Sequence, residues 1–223
     1  TEVGARFHPA AAAAPTILFF HGNGEIVADY DELAPFYRQQ GVNFLPVDYR
    51  GYGRSTGAPT VSAMMRDCHA ILAFARQWLA ETGYRGPLMV MGRSLGSASA
   101  LELAASYPEQ IAALIVESGF AYAGPLLQLL GVNLTAIGFK EMAGFRNVDK
   151  IRAYPGPTLI IHAEDDHIIS HLKRQPFHEV LRDKDLSGFQ KMRGISDIGL
   201  DPLYQVRARL ALHFGIHSAQ PDV

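Results

Sequence analysis

One cysteine, Cys68, stands in 223 residues, so no internal disulfide can form and a reducing compartment suits the chain. No apolar run approaches the roughly 18 residues expected of a membrane span. The formal net charge is only −2 and no basic cluster offsets it, which argues against a nucleic-acid partner. The chain starts at Thr1 rather than at a methionine and shows no basic-then-apolar leader pattern. A cytoplasmic location is the expectation from these features. With 48% hydrophobic and 19% charged residues, the composition is that of an ordinary globular protein. The length suits a single domain spanning residues 1–223.

What is present is an alternation of short apolar runs with helical patterns. Thr16 to Phe20, Val42 to Val47, Leu88 to Met91, Ile111 to Glu117 and Thr158 to Ile161 read as strands buried on both faces. Between them the pattern predicts a helix over about Val27 to Gln39, a long one over Val61 to Glu81 and one over Leu95 to Tyr107. In the long helix Met64, Cys68, Ile71, Leu72, Ala75, Trp78 and Leu79 recur on one face. A weaker strand at Phe189 to Met192 and a last helix at Pro202 to Phe214 complete the series. The expected fold class is α/β, a mostly parallel central sheet with helices on both faces. The apolar, glycine-broken segment at about residues 119–154 reads as short helices inserted into that fold.

In such sheets function gathers at the carboxyl ends of the strands, and three candidate positions fall there. His21-Gly22-Asn23-Gly24 ends the first strand, Gly92-Arg93-Ser94-Leu95-Gly96 ends the third, and Asp166 lies past the fifth. A G-x-S-x-G run at a strand-to-helix junction is the pattern of a nucleophile elbow, which holds a serine hydroxyl clear of the backbone. The residues two before and two after that serine approach closely, so both must lack side chains. A serine hydroxyl needs a base, an acid to orient the base, and donors for the oxyanion that forms. The backbone N–H groups of Leu95 and Asn23 are the candidate oxyanion donors.

Other readings of these residues carry less. Gly22 and Gly24 could begin a dinucleotide fingerprint with Asp48 as its ribose acid, but Val27 stands where the third small residue is required. Asp48 and Arg50 are better read as bracing the loop after the second strand, and Cys68 as core. His167 and His171 lie four apart beside Asp165 and Asp166, yet Pro176 interrupts the stretch and no further ligand cluster appears. Neither a metal nor a cofactor is expected.

Four ordered runs together resemble the α/β-hydrolase superfamily, in particular small single-domain serine hydrolases with a short cap. They are His21-Gly22-Asn23-Gly24-Glu25, Asp48-Tyr49-Arg50-Gly51-Tyr52-Gly53-Arg54-Ser55, Gly92-Arg93-Ser94-Leu95-Gly96, and His162-Ala163-Glu164-Asp165-Asp166-His167-Ile168-Ile169. The resemblance implies Ser94 as nucleophile, Asp166 as the triad acid, Asn23 and Leu95 as the oxyanion hole, and residues 119–154 as the cap. It further implies a small-molecule substrate with an apolar or acyl part.

One departure stands out. The family's catalytic histidine follows the last strand in a short turn, and the corresponding turn here is Gly194-Ile195-Ser196-Asp197-Ile198. Ile195 occupies the histidine's place, and an aliphatic side chain cannot accept a proton. His171 and His167 are the candidate substitutes. The expectation is therefore a serine hydrolase acting on a carboxylic ester, thioester or amide, impaired at its base. The alternative is a pseudoenzyme, a hydrolase-fold binding protein without turnover.

Overall fold

The computed structural model describes residues 1–124, 133, 135 and 145–161. Within them five strands form one sheet: β1 (Thr16–Phe20), β2 (Asn43–Val47), β3 (Leu88–Arg93), β4 (Ala113–Glu117) and β5 (Thr158–Ile161). Their order is β2-β1-β3-β4-β5 and every pairing is parallel. The helices are α1 (Ala34–Gln39), α2 (Val61–Glu81), α3 (Ser97–Ser106) and α4 (Asn147–Ala153). The α/β class and helices on both faces are as expected. The weaker strand at 189–192, the last helix at 202–214 and residues 125–132, 134 and 136–144 of the segment at 119–154 lie outside the described residues. The two ends of that segment are buried, with Phe120, Ala121, Phe145, Val148 and Ile151 all in the core.

The continuous apolar runs follow from burial of alternate residues on opposite faces. Leu18, Phe20, Leu45, Val47, Val90, Leu114, Val116 and Ile160 face a cluster completed by α2, α3 and α4 through Cys68, Leu72, Leu101, Leu103, Val148 and Ile151. Ile17, Phe19, Phe44, Met89, Met91, Ala113, Ile115 and Leu159 face the other way, against Tyr30, Ala34 and Tyr37. Stacking of Tyr37 on Phe44, with ring centroids 4.3 Å apart, fixes α1 on that second face.

Several boundaries differ from the periodicity. A single helix over 27–39 does not form; a 3-10 turn at Val27–Tyr30 is followed by the short α1. Pro35 at the start of α1 has no N–H to give to the preceding turn and would crowd its carbonyl, so the helix restarts there. The third strand continues beyond Met91 to Arg93, and α3 begins at Ser97 rather than Leu95 because Ser94–Gly96 form a separate 3-10 turn. The long helix α2 has the expected span, and the Thr60 hydroxyl accepts the Ala63 N–H at 3.1 Å as its N-cap.

The first residues do more than lead into β1. Ala5 and His8 form antiparallel bridges to Val47 and Phe44 along the outer edge of β2, so backbone that would otherwise present unpaired groups is covered. The alanine run is pinned by the buried Asn43 side chain, which accepts from Ala10 N–H at 2.7 Å and donates to the Ala11 and Ala14 carbonyls at 3.0 Å.

Parallel register then sets the site. Phe20 lies opposite both Val47 and Gly92, and Gly92 opposite Val116. The residues that follow these strands are therefore brought to one edge, although they are dozens of positions apart in the chain.

Candidate active site

At the end of β3 the backbone turns sharply. Ser94 has φ +48°, a left-handed conformation that costs an L-residue roughly 1–2 kcal/mol. The turn is closed by the Ser97 hydroxyl, which donates to the Ser94 carbonyl at 2.6 Å. A Cβ on Gly92 would overlap the Gly96 carbonyl, and one on Gly96 would overlap the Phe20 carbonyl at the end of β1. The two glycines thus allow the turn and let it press against the neighbouring strand. Ser94 and Leu95 are both half-buried.

The turn after β1 lies beside it. His21 is fully buried, and its Nδ1 lies 2.8 Å from the Gly22 carbonyl. Nδ1 therefore carries the proton, and Nε2 faces Asp48 Oδ1 at 3.3 Å. Burial lowers the His21 pKa from its ordinary value; the Gly22 carbonyl and Asp48 oppose that shift but do not overcome it. Burial thus favours the neutral imidazole over the charged one. Tyr49 donates its hydroxyl to the His21 carbonyl at 2.6 Å. Asn23 is exposed, and its side-chain oxygen accepts from the Tyr52 hydroxyl at 2.6 Å.

Glu25 joins the two turns. Its carboxylate accepts the Gly22 N–H at 2.6 Å and the Tyr30 hydroxyl at 2.5 Å, and pairs with the Arg93 guanidinium. Burial raises the Tyr30 phenol pKa, which keeps that group a donor. Arg93 also lies 3.6 Å from Glu117, at the end of β4. A carboxylate, a guanidinium and a second carboxylate thus run across the ends of three adjacent strands, immediately before Ser94. Nothing in the residue pattern marks Glu25 and Arg93 as partners; only the β1–β3 register does.

The bracing residues are where expected. Asp48 is buried and its Oδ1 accepts the Val27 N–H at 2.8 Å. So committed, and facing His21, it is poorly placed to hold a ribose. Arg50 grips Asp67 of α2 with two bonds of 2.5 Å. Cys68 is in the core, its thiol donating to the Met65 carbonyl and its pKa pushed up to about 12 by burial, so it is no nucleophile at neutral pH. The remaining candidates, Asp166 and Ile195, with His167 and His171, lie outside the described residues. Among the described residues no helix is long and apolar enough to cross a membrane.

Similarity to known proteins agrees with this architecture. The human alpha/beta hydrolase domain-containing protein 17B is 33% identical over 165 residues, which cover 69% of this chain and 51% of that protein. The lysophosphatidylserine lipase ABHD12 of Xenopus tropicalis is 32% identical over 185 residues, covering 74% of this chain and 44% of that one. The chain thus spans about half the length of the curated relatives it matches. Among solved structures, Est1E from Butyrivibrio proteoclasticus with bound ferulic acid aligns over 80% of this chain and 81% of its own, with a TM-score of 0.62 at 18% identity, a likeness of fold. Residues 11–143 match the family model described as serine aminopeptidase, S33. The chain belongs to that family of α/β hydrolases.

Proposed function

We propose that the protein is a serine hydrolase that cleaves a carboxylic ester, thioester or amide through an acyl-enzyme at Ser94. The observation that carries this reading is the backbone at Ser94. Ser94 is held at φ +48° between two glycines that tolerate no side chain, and such backbone strain collects where a reacting group must be presented. In the proposed reaction Ser94 Oγ bonds to the substrate carbonyl carbon and its proton passes to a base. The oxyanion is held by the N–H groups of Leu95 and Asn23, and the alcohol, thiol or amine leaves with a proton. Water then cleaves the acyl–Oγ bond. Asp166 is the proposed acid of the triad. A relative named as a lysophosphatidylserine lipase supports a substrate with an apolar acyl part.

Ile195, at the place of the base, favours a second reading, a hydrolase-fold binder with little turnover. Loss of one triad member still leaves about 10³–10⁴-fold catalysis over water from the remaining groups. The two readings therefore separate on Ser94 chemistry rather than on weak activity. A fluorophosphonate probe labels Ser94 in the hydrolase reading and loses its label in Ser94→Ala; a folded protein that takes no label supports the binder. Ile195→His tests the base: the expected outcome is a gain in ester hydrolysis, and an unchanged rate would move the base elsewhere, with His167 and His171 next to be substituted.

A further inference from the structure

Glu25 holds Gly22 by both of its backbone groups. Its carboxylate accepts the Gly22 N–H at 2.6 Å, and its own N–H donates to the Gly22 carbonyl at 3.4 Å. The same carbonyl lies 2.8 Å from His21 Nδ1. A Cβ on Gly22 would stand 2.9 Å from Glu25 Oε2 and 3.1 Å from Oε1, so the carboxylate lies against bare backbone. In a trans peptide the carbonyl and the next N–H point in opposite directions. Fixing the Gly22 carbonyl therefore aims the N–H of Asn23, the proposed oxyanion donor of this turn.

This arrangement carries an electrostatic penalty. A carboxylate one peptide away from an oxyanion donor opposes the negative charge that the donor is meant to hold. The Arg93 guanidinium pairs with that carboxylate, and Arg93 is also the residue before Ser94. Both side chains are only partly buried, so salt reaches the pair. We infer that Glu25 and Arg93 are positioning residues of the Ser94 site, an inference that rests on the proposed role of Ser94. Glu25 fixes the peptide that presents the Asn23 N–H. Arg93 cancels the charge that Glu25 brings to it.

The rate of fluorophosphonate labelling tests this without turnover, because attack of Ser94 on phosphorus builds negative charge on the phosphoryl oxygen. Glu25→Ala removes the acceptor of the Gly22 N–H and is expected to slow labelling about a hundredfold, the scale of a lost oxyanion donor. Glu25→Gln keeps an acceptor oxygen without the charge and is expected to label about threefold faster. Arg93→Gln leaves the carboxylate uncompensated and is expected to label about tenfold slower. That deficit narrows at about 1 M salt, where the screening length falls to about 3 Å. The double variant Glu25→Gln/Arg93→Gln recovers most of the loss. A merely structural pair gives a different pattern: both single variants slow, the double no better than the worse of them, and no response to salt. That pattern overturns the inference even where Ser94 takes the label. Hydrogen exchange at the Gly22 amide checks the peptide directly. It is expected to be fast in Glu25→Ala and slow in Glu25→Gln, and equal rates overturn the positioning by Glu25. A folded, unsubstituted protein that takes no label overturns the hydrolase reading itself, and the inference with it.

Discussion

Arg93 and Glu25 form an ion pair across 68 residues of sequence, tying the residue before Ser94 to the turn that follows β1. Arg93 is 42% exposed, so the pair itself contributes no more than about 1 kcal/mol. The greater consequence of Glu25 lies in its other bonds, to the Gly22 N–H and the Tyr30 hydroxyl. Glu25→Ala leaves both donors without their acceptor, at a cost of about 2 kcal/mol. Glu25→Gln keeps an acceptor oxygen and is expected to cost about half as much. Urea unfolding of the two variants checks the order, and equal losses would assign the whole effect to charge.

The glycines of the Ser94 turn differ from those that merely allow a left-handed conformation. Gly96→Ala places a methyl group on the Phe20 carbonyl, and Gly92→Ala places one on the Gly96 carbonyl. Backbone cannot swing aside as a side chain does, so each change is expected to cost at least about 3 kcal/mol. Gly83, after α2, has φ +88° but nothing within 4 Å of the place a methyl group would take. Gly83→Ala therefore meets strain alone, about 1–2 kcal/mol. Thermal unfolding of the three variants should separate them into these two groups.

Ser94→Gly removes the left-handed strain together with the hydroxyl. It is expected to raise stability by about 1 kcal/mol while abolishing fluorophosphonate labelling. Denaturant unfolding and labelling on the same preparation measure both effects. A destabilised Ser94→Gly would mean that the hydroxyl contributes more to folding than its backbone costs.

Burial lowers the His21 pKa below its ordinary 6.5. The unfolded chain therefore takes up a proton at a higher pH than the folded one. The contribution of His21 to stability is complete above pH 6.5 and is lost as the pH falls from there towards the folded pKa. His8, lowered by burial in the same direction, adds to the slope. An NMR titration of the His21 ring is expected to give a midpoint below 6.5, and a midpoint above it would mean that Asp48 dominates.

The expected strands at 16–20 and 158–161 and the long helix at 61–81 coincide with the observed elements, because their patterns are dictated locally. A strand buried on both faces must be apolar throughout, and an amphipathic helix must repeat its apolar residues each turn. The break between Tyr30 and Ala34 fell inside the helix expected from periodicity over 27–39, because the missing N–H of Pro35 outweighs the helical pattern around it. The N-terminal residues along β2 carried no comparable signal, since edge pairing is made by backbone groups common to every sequence.

Short-range residue patterns were enough to establish the α/β class, the Gly92–Gly96 turn with Ser94 at its apex, and the commitment of Cys68 to the core. Each follows from what a residue type can tolerate or from how apolar positions repeat. Folding in three dimensions was needed to bring Glu25 to Arg93, to set Tyr52 on Asn23, and to place Leu95 in one pocket with Tyr52 and Met64. Those relationships depend on the parallel β2-β1-β3-β4 order, which aligns strand ends whose residues are far apart in the chain.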